Sequence, residues 1–119
     1  MPGELVHYEI GAKDVDRAQK FWGGLFGWEF GESAMPGMEY RMARIGESAG
    51  AALYSADEVK GHPNVYLDSD DIDATLAKAK ELGGEAGEKM PVPGMGWFAE
   101  CKDTEGNTFH VWQSDRSAG

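Results

Sequence analysis

Only one cysteine, Cys101, occurs among the 119 residues, so no intrachain disulfide can form and the fold must rest on packing and hydrogen bonds. No apolar run approaches the roughly 20 residues that a membrane-crossing helix needs, and no secretory apolar core precedes the first elements. These absences lead us to expect a cytoplasmic protein without a membrane partner. Basic residues are scarce too: 11 Lys and Arg stand against 21 Asp and Glu, for a formal charge of −10 and a pI near 4.6. Such a field repels phosphate backbones, so nucleic acid is not an expected partner. The patterns H-E-x-x-H, G-x-x-x-x-G-K-[ST] and G-x-S-x-G are all missing, which removes zincin, P-loop and α/β-hydrolase chemistry.

Glycine, by contrast, is plentiful at 17 residues and suits many tight turns between short strands. The chain also repeats itself. Asp14-Val15-Asp16 returns as Asp71-Ile72-Asp73, Pro36-Gly37-Met38 as Pro93-Gly94-Met95, and Tyr40 as Trp97, all at an offset of 57. Seven matches at one offset indicate a duplicated structural unit. Module one then covers about residues 1–57 and module two about 58–119, and with no linker between them they read as halves of one domain.

Each acidic triplet opens a helix. After Asp14, a suitable N-cap, apolar residues at Val15, Ala18, Trp22, Leu25 and Phe26 share one helical face that ends at Gly27. After Asp71, the stripe is Ile72, Leu76, Ala79 and Leu82, ending at Gly83. Gly23-Gly24 conflicts with the first helix, since each glycine there costs about 1 kcal/mol relative to alanine. Strand-like runs precede the helices at Leu5 to Ile10 and Asn64 to Leu67. Others follow at about 28 to 33, 39 to 46 and 50 to 55, then at about 85 to 90, 96 to 102 and 107 to 113. Two strand-helix-strand-strand-strand modules predict an α+β fold with helices covering one face of a curved mixed sheet.

Function is expected on the uncovered face. Alternation puts Val6, Tyr8 and Ile10 toward the helix and leaves His7 and Glu9 on the other side. Likewise His62, Asn64, Tyr66 and Asp68 oppose Val65 and Leu67, and His110 shares its side with Thr108 and Trp112 rather than with Phe109 and Val111. A wall of this composition suits a small-molecule pocket. Lone strand histidines are more often packing residues than ligands, and D-T-E-G-N is first of all a hairpin turn. Trp22 and Trp28 are expected at the core and helix end, while Trp97 and Trp112 are candidates for the pocket wall. Cys101, alternating with Ala99, reads as a partly buried, inert thiol.

A duplicated βαβββ unit with F-W-G-G-L-F-G-W-E-F ending its first helix, D-I-D opening its second and D-T-E-G-N-T-F-H-V-W-Q closing the chain resembles the vicinal oxygen chelate superfamily. This superfamily includes glyoxalases, extradiol dioxygenases and bleomycin resistance proteins, and the small glyoxalase-like branch is the nearest likeness. The resemblance implies a sheet cup with four ligand positions for a divalent metal, on the first and last strand of each module. It places His7 and His110 at two of these positions, and the repeat maps them onto Asn64 and Leu53. Leu53 cannot bind a metal, and a one-residue slip supplies only Ala52 or Tyr54. Asn64 is a weak neutral donor, which leaves His62 or Glu9 to complete a distorted set.

Two functions follow from this likeness. One is a metal-assisted lyase, isomerase or dioxygenase in which Glu9 moves a proton. The other is a metal-free protein that sequesters a drug or metabolite, with His7, Asn64, Tyr66, Trp97, His110 and Trp112 as ligand-binding residues. The resemblance also implies a homodimer.

Overall fold

The computed structural model describes residues 2–33 and 37–119, so Pro36 of the first Pro-Gly-Met lies outside the described residues. The chain divides into two compact units, Val6–Asn64 and Met1–Leu5 with Val65–Gly119. Residues Gly3 and Glu4 join the second unit through backbone bonds of 2.8 Å to Asp68.

In the first unit the order is β1 (Leu5–Ala12), α1 (Val15–Phe26), β2 (Tyr40–Arg44) and β3 (Gly50–Ser55). Strand β3 lies between the other two, parallel to β1 and antiparallel to β2. Helix α1 begins where expected: the Asp14 carboxylate accepts the Arg17 N–H at 3.0 Å, and Gly27 closes the helix in the left-handed region at φ 73°. Ala12, Val15 and Leu53 form the core, with Ile10, Ala18, Trp22 and Phe30 packed around them.

Two expectations fail in this unit. Leu25 and Phe26 are not buried; they are 57% and 58% exposed. Residues 28–33 do not form a strand either. Their side chains serve the helix end instead: the Trp28 ring lies on Trp22 at 5.3 Å and 7° interplanar, and Phe30 packs into the core. Among the described residues the segment keeps a backbone bond to the sheet, Gly31 N–H to the Met42 carbonyl at 2.9 Å. The Gly23 conflict has a local cause, since a Cβ there would sit 3.1 Å from the Trp28 carbonyl oxygen. Nothing in the structure explains Gly24.

The second unit contains β4 (Asn64–Asp68, from Val65 on), α2 (Ile72–Glu81), β5 (Glu85–Ala86), β6 (Met90–Val92), β7 (Gly96–Lys102) and β8 (Thr108–Ser114). Its strands run in the order β4-β8-β7-β5, with β6 also on β7. The expected strand at 85 to 90 is split because pairing against β7 shifts by one residue between β5 and β6. Gly87 sits at this bulge, where a Cβ would lie 3.0 Å from the Glu100 carbonyl oxygen. Asp71 caps α2 by accepting the Ala74 N–H at 3.1 Å, and Gln113 of β8 accepts the Ile72 N–H at 2.7 Å, so two of the orphan donors of the first turn are satisfied. The core joins Ile72, Leu76, Ala99, Cys101 and Val111, whereas Leu82, expected in the stripe, is 66% exposed. The architecture is α+β, two tandem modules with one helix each.

Candidate functional site

In the first unit, alternation leaves one sheet face to His7 and Glu9, opposite to Ile10 and Ala12. Register carries this face across the sheet: His7 lies beside Gly50, Glu9 beside Ala52, Ala52 beside Met42, and Tyr54 beside Tyr40. Small residues make the floor. A Cβ on Gly50 would come 3.5 Å from His7 Nδ1, and one on Gly11 would come 3.2 Å from the Tyr54 hydroxyl.

On this floor the polar side chains form one hydrogen-bonded chain. The Tyr40 hydroxyl donates to Glu9 Oε2 at 2.7 Å and lies 2.8 Å from His7 Nε2. Asn64 reaches the other oxygen, Glu9 Oε1, with its amide at 3.4 Å, and Lys60 Nζ donates to Asn64 Oδ1 at 3.3 Å. Tyr40 is held in turn by Ser33, whose hydroxyl accepts the Tyr40 N–H at 2.8 Å and donates to the Met38 carbonyl at 2.6 Å. Burial pushes the His7 pKa below its ordinary value, and the opposing attraction of Glu9 does not reverse it. A neutral imidazole, a phenol and a carboxylate in one line can orient a polar ligand and hold or move a proton.

In the second unit the corresponding face is aromatic. Tyr66 pairs with His110 across β4 and β8, and their rings stack at 4.5 Å and 21°. Phe98 meets Tyr66 edge-on at 6.3 Å, and Glu100 Oε1 stands 3.8 Å from His110 Nε2. Trp112 lies on the same face and donates to Ser114 Oγ at 3.0 Å. Its ring crosses Gly96, where a methyl group would fall 2.6 Å from the indole.

The two faces correct the residue mapping. Comparing Glu9–Ala52 with Tyr66–His110 shows that His110 answers to Ala52, not Leu53. Leu53 is fully buried in the core with Val15 of α1. Met95-Gly96-Trp97-Phe98 carries one residue more than Met38-Glu39-Tyr40, so Tyr40 answers to Phe98 rather than to Trp97. Trp97 accordingly leaves the predicted group: it packs against the Ile72, Ala99 and Cys101 core, with its N–H on Asp115 at 3.1 Å and Lys89 Nζ 4.6 Å from its ring. His62 sits exposed in the bend before β4, its Nδ1 3.1 Å from the Pro63 carbonyl. Tyr40 and Ser33 were missed. Tyr40 was visible only as half of a repeated aromatic, and its alternation with Met42 was the usable signal.

An open groove of about 880 Å³ lies elsewhere on the first unit, lined by Gln19, Gly23, Trp28 and Arg41 among others. Arg41 is on the helix side of β2, opposite to Tyr40, and its charge is already met by Asp16 at 2.9 Å and Glu39 at 3.0 Å. The groove is therefore separate from the His7 face.

The donors do not fit a divalent metal. His7 Nε2 is engaged by a hydroxyl, Asn64 donates its amide to Glu9, and the position answering to His110 is an alanine. Among the described residues, no group of three or more His, Cys, Asp or Glu side chains is arranged to hold a metal ion. No described helix is long and apolar enough to cross a membrane.

These features, a duplicated α+β module with a second sheet face opposite each helix, polar in one unit and aromatic in the other, define a superfamily before they define a member. Residues 7–112 match the family model described as "Glyoxalase-like domain", and the chain belongs to that family, within the vicinal oxygen chelate superfamily. The Mycobacterium tuberculosis (strain CDC 1551 / Oshkosh) protein named "Putative glyoxylase CFP32" is 30% identical over 93% of this chain, which spans 46% of that protein's length. Two solved structures share the fold: methylmalonyl-CoA epimerase from Mycobacterium tuberculosis, at TM-score 0.74 and 15% identity over 95% of this chain and 88% of that one, and a glyoxalase/bleomycin resistance protein/dioxygenase superfamily member from Vibrio splendidus 12B01, at 0.71 and 17% over 94% and 99%.

Proposed function

We propose that the chain is a cytoplasmic, metal-independent glyoxalase-like protein that binds a small oxygenated organic ligand on the His7 face. The observation that carries this reading is the continuous hydrogen-bonded chain His7–Tyr40–Glu9–Asn64 on a floor of glycine and alanine. Polar groups this well connected offer a ligand fixed donors and acceptors at little reorganisation cost. The formal charge of −10 favours cationic ligands, including bleomycin-type drugs. Tyr66, His110 and Trp112 belong to the same proposal as an aromatic surface for planar rings. A homodimer is part of it too, supported by β2, which among the described residues of its unit has β3 as its one strand partner and on its other side meets Gly31 and Ser33 through single hydrogen bonds. A monomer by light scattering at micromolar concentration would remove that part.

The test is calorimetric titration of the full chain, free of any metal-binding tag, with bleomycin and with a panel of vicinal dicarbonyl and hydroxy-acid compounds. Binding to the wild type with about tenfold weaker binding to His7→Ala, roughly 1.4 kcal/mol, supports the proposal. Stoichiometric metal by elemental analysis, or binding indifferent to His7, sinks it.

A second reading is favoured by Glu9, a carboxylate bonded to a phenol and within the polar chain: proton transfer at a carbon next to a carbonyl. Incorporation of deuterium from heavy water into methylmalonyl-CoA or another acidic carbon acid, lost in Glu9→Gln, would establish it.

A further inference from the structure

The polar chain has a direction that its distances alone do not state. Glu9 as a carboxylate accepts and cannot donate, whereas the Tyr40 hydroxyl has one proton. That proton is directed to Glu9 Oε2 at 2.7 Å. With it spent, the 2.8 Å contact between the Tyr40 oxygen and His7 Nε2 is a hydrogen bond only if Nε2 carries a proton. An imidazole with a single N–H therefore carries it on Nε2, facing the Tyr40 oxygen.

We propose that Tyr40 is a positioning residue that fixes His7 as its Nε2–H tautomer, so that the imidazole presents Nδ1 only as a proton acceptor. Two consequences follow. Any group that meets Nδ1, from the protein or from a ligand, must bring the proton itself. Nε2, donating to the Tyr40 oxygen, offers no lone pair to a cation while this bond stands. The inference deepens the ligand-binding reading by setting the polarity of that site.

Tyr40 is suited to this role by its own anchoring. Its backbone N–H is held by Ser33, and its ring lies 6.4 Å from the His7 ring on a buried strand start. The repeat supplies a contrast: the residue answering to Tyr40 is Phe98, which has no hydroxyl, and the one answering to Glu9 is Tyr66.

The experiment is long-range proton–nitrogen correlation NMR of the ¹⁵N-labelled, ligand-free full chain at neutral pH, with the His7 ring assigned from the signals lost in His7→Gln. The expected pattern is a protonated-type nitrogen coupled to both ring protons, which marks Nε2–H. An unprotonated-type Nε2, or two nitrogens at averaged shifts, overturns the proposal without any variant being needed. In Tyr40→Phe the Nε2–H preference should fall about fivefold, the equivalent of one net hydrogen bond of about 1 kcal/mol. In Glu9→Gln the obligate acceptor is gone, Tyr40 is free to donate to His7, and the equilibrium should move toward Nδ1–H. Retention of the wild-type tautomer ratio in both variants, with their amide spectra intact, would also overturn it. Because no ligand is present, failure here leaves the binding proposal standing, and failure of the titrations leaves the tautomer standing.

Discussion

The two modules answer the same structural question with different chemistry. Equivalent strand positions hold Tyr40 and Glu9 in module one, joined by a 2.7 Å hydrogen bond, and Phe98 and Tyr66 in module two, joined edge-on at 6.3 Å. His7 answers to Asn64 and Ala52 to His110, so at these strand positions each module carries one imidazole, on opposite members of its parallel strand pair. In module one the imidazole is part of a polar chain; in module two it stacks on a ring at 4.5 Å. Duplication preserved the backbone and its faces, while what those faces carry diverged by single side chains. The scaffold therefore constrains where chemistry can occur without specifying which chemistry occurs.

The strongest challenge to this comparison is Leu53. If Ala52 is the true counterpart of His110, Leu53 is a core residue and Leu53→Ala should cost about 2–5 kcal/mol in urea unfolding. A cost below about 1 kcal/mol would restore Leu53 to the sheet's open face and undo the residue pairing. Next in size is Gly96→Ala in module two. Its methyl group would meet both the Gln113 carbonyl and the Trp112 indole, so we expect a loss of about 1–3 kcal/mol and a changed Trp112 environment in fluorescence.

Cys101 provides a milder test on the same module. It is 2% exposed, and burial pushes its thiol pKa up, so the native protein should react with thiol reagents only through opening of module two. Cys101→Ala should cost about 1 kcal/mol, and labelling of the folded wild type as fast as of the urea-unfolded chain would contradict the packing.

The smallest effect is the pH dependence contributed by His7. Its folded pKa lies below the ordinary 6.5, so the unfolded chain takes up the proton more readily. The contribution to stability is complete above the unfolded value and is lost as pH falls through the lowered folded value. His7→Gln should flatten that part of the urea-midpoint profile, and an unchanged profile would show that burial does not act on this ring.

Much of this was legible in the residues. Asp14 and Asp71 fixed both helix starts because an N-cap is a local device, readable from a carboxylate placed before an apolar stripe. Strand alternation separated His7 and Glu9 from Ile10 for the same reason. The site was less legible, and one extra residue explains most of the difference. A single insertion after Met95 keeps the aromatic match of Tyr40 to Trp97 attractive, yet in a strand a one-residue slip reverses every side chain. That slip put Trp97 on the wrong face and Leu53 in the wrong role, and it hid Tyr40. The ends of the helical stripes were misread for another reason: periodicity marks which way a helix faces, but not how far along it burial extends, and Leu25, Phe26 and Leu82 are exposed.

The stacked pair Trp22 and Trp28 makes module one optically distinct. Two indoles 5.3 Å apart and 7° from parallel form a chromophore dimer whose coupled transitions should give a signed couplet in ultraviolet circular dichroism. In module two, Trp97 and Trp112 lie on opposite faces of their sheet and cannot stack in this way. The chain thus contains an unlabelled optical reporter for one half of a duplicated fold, able to reveal whether the two copies melt as one body or in sequence.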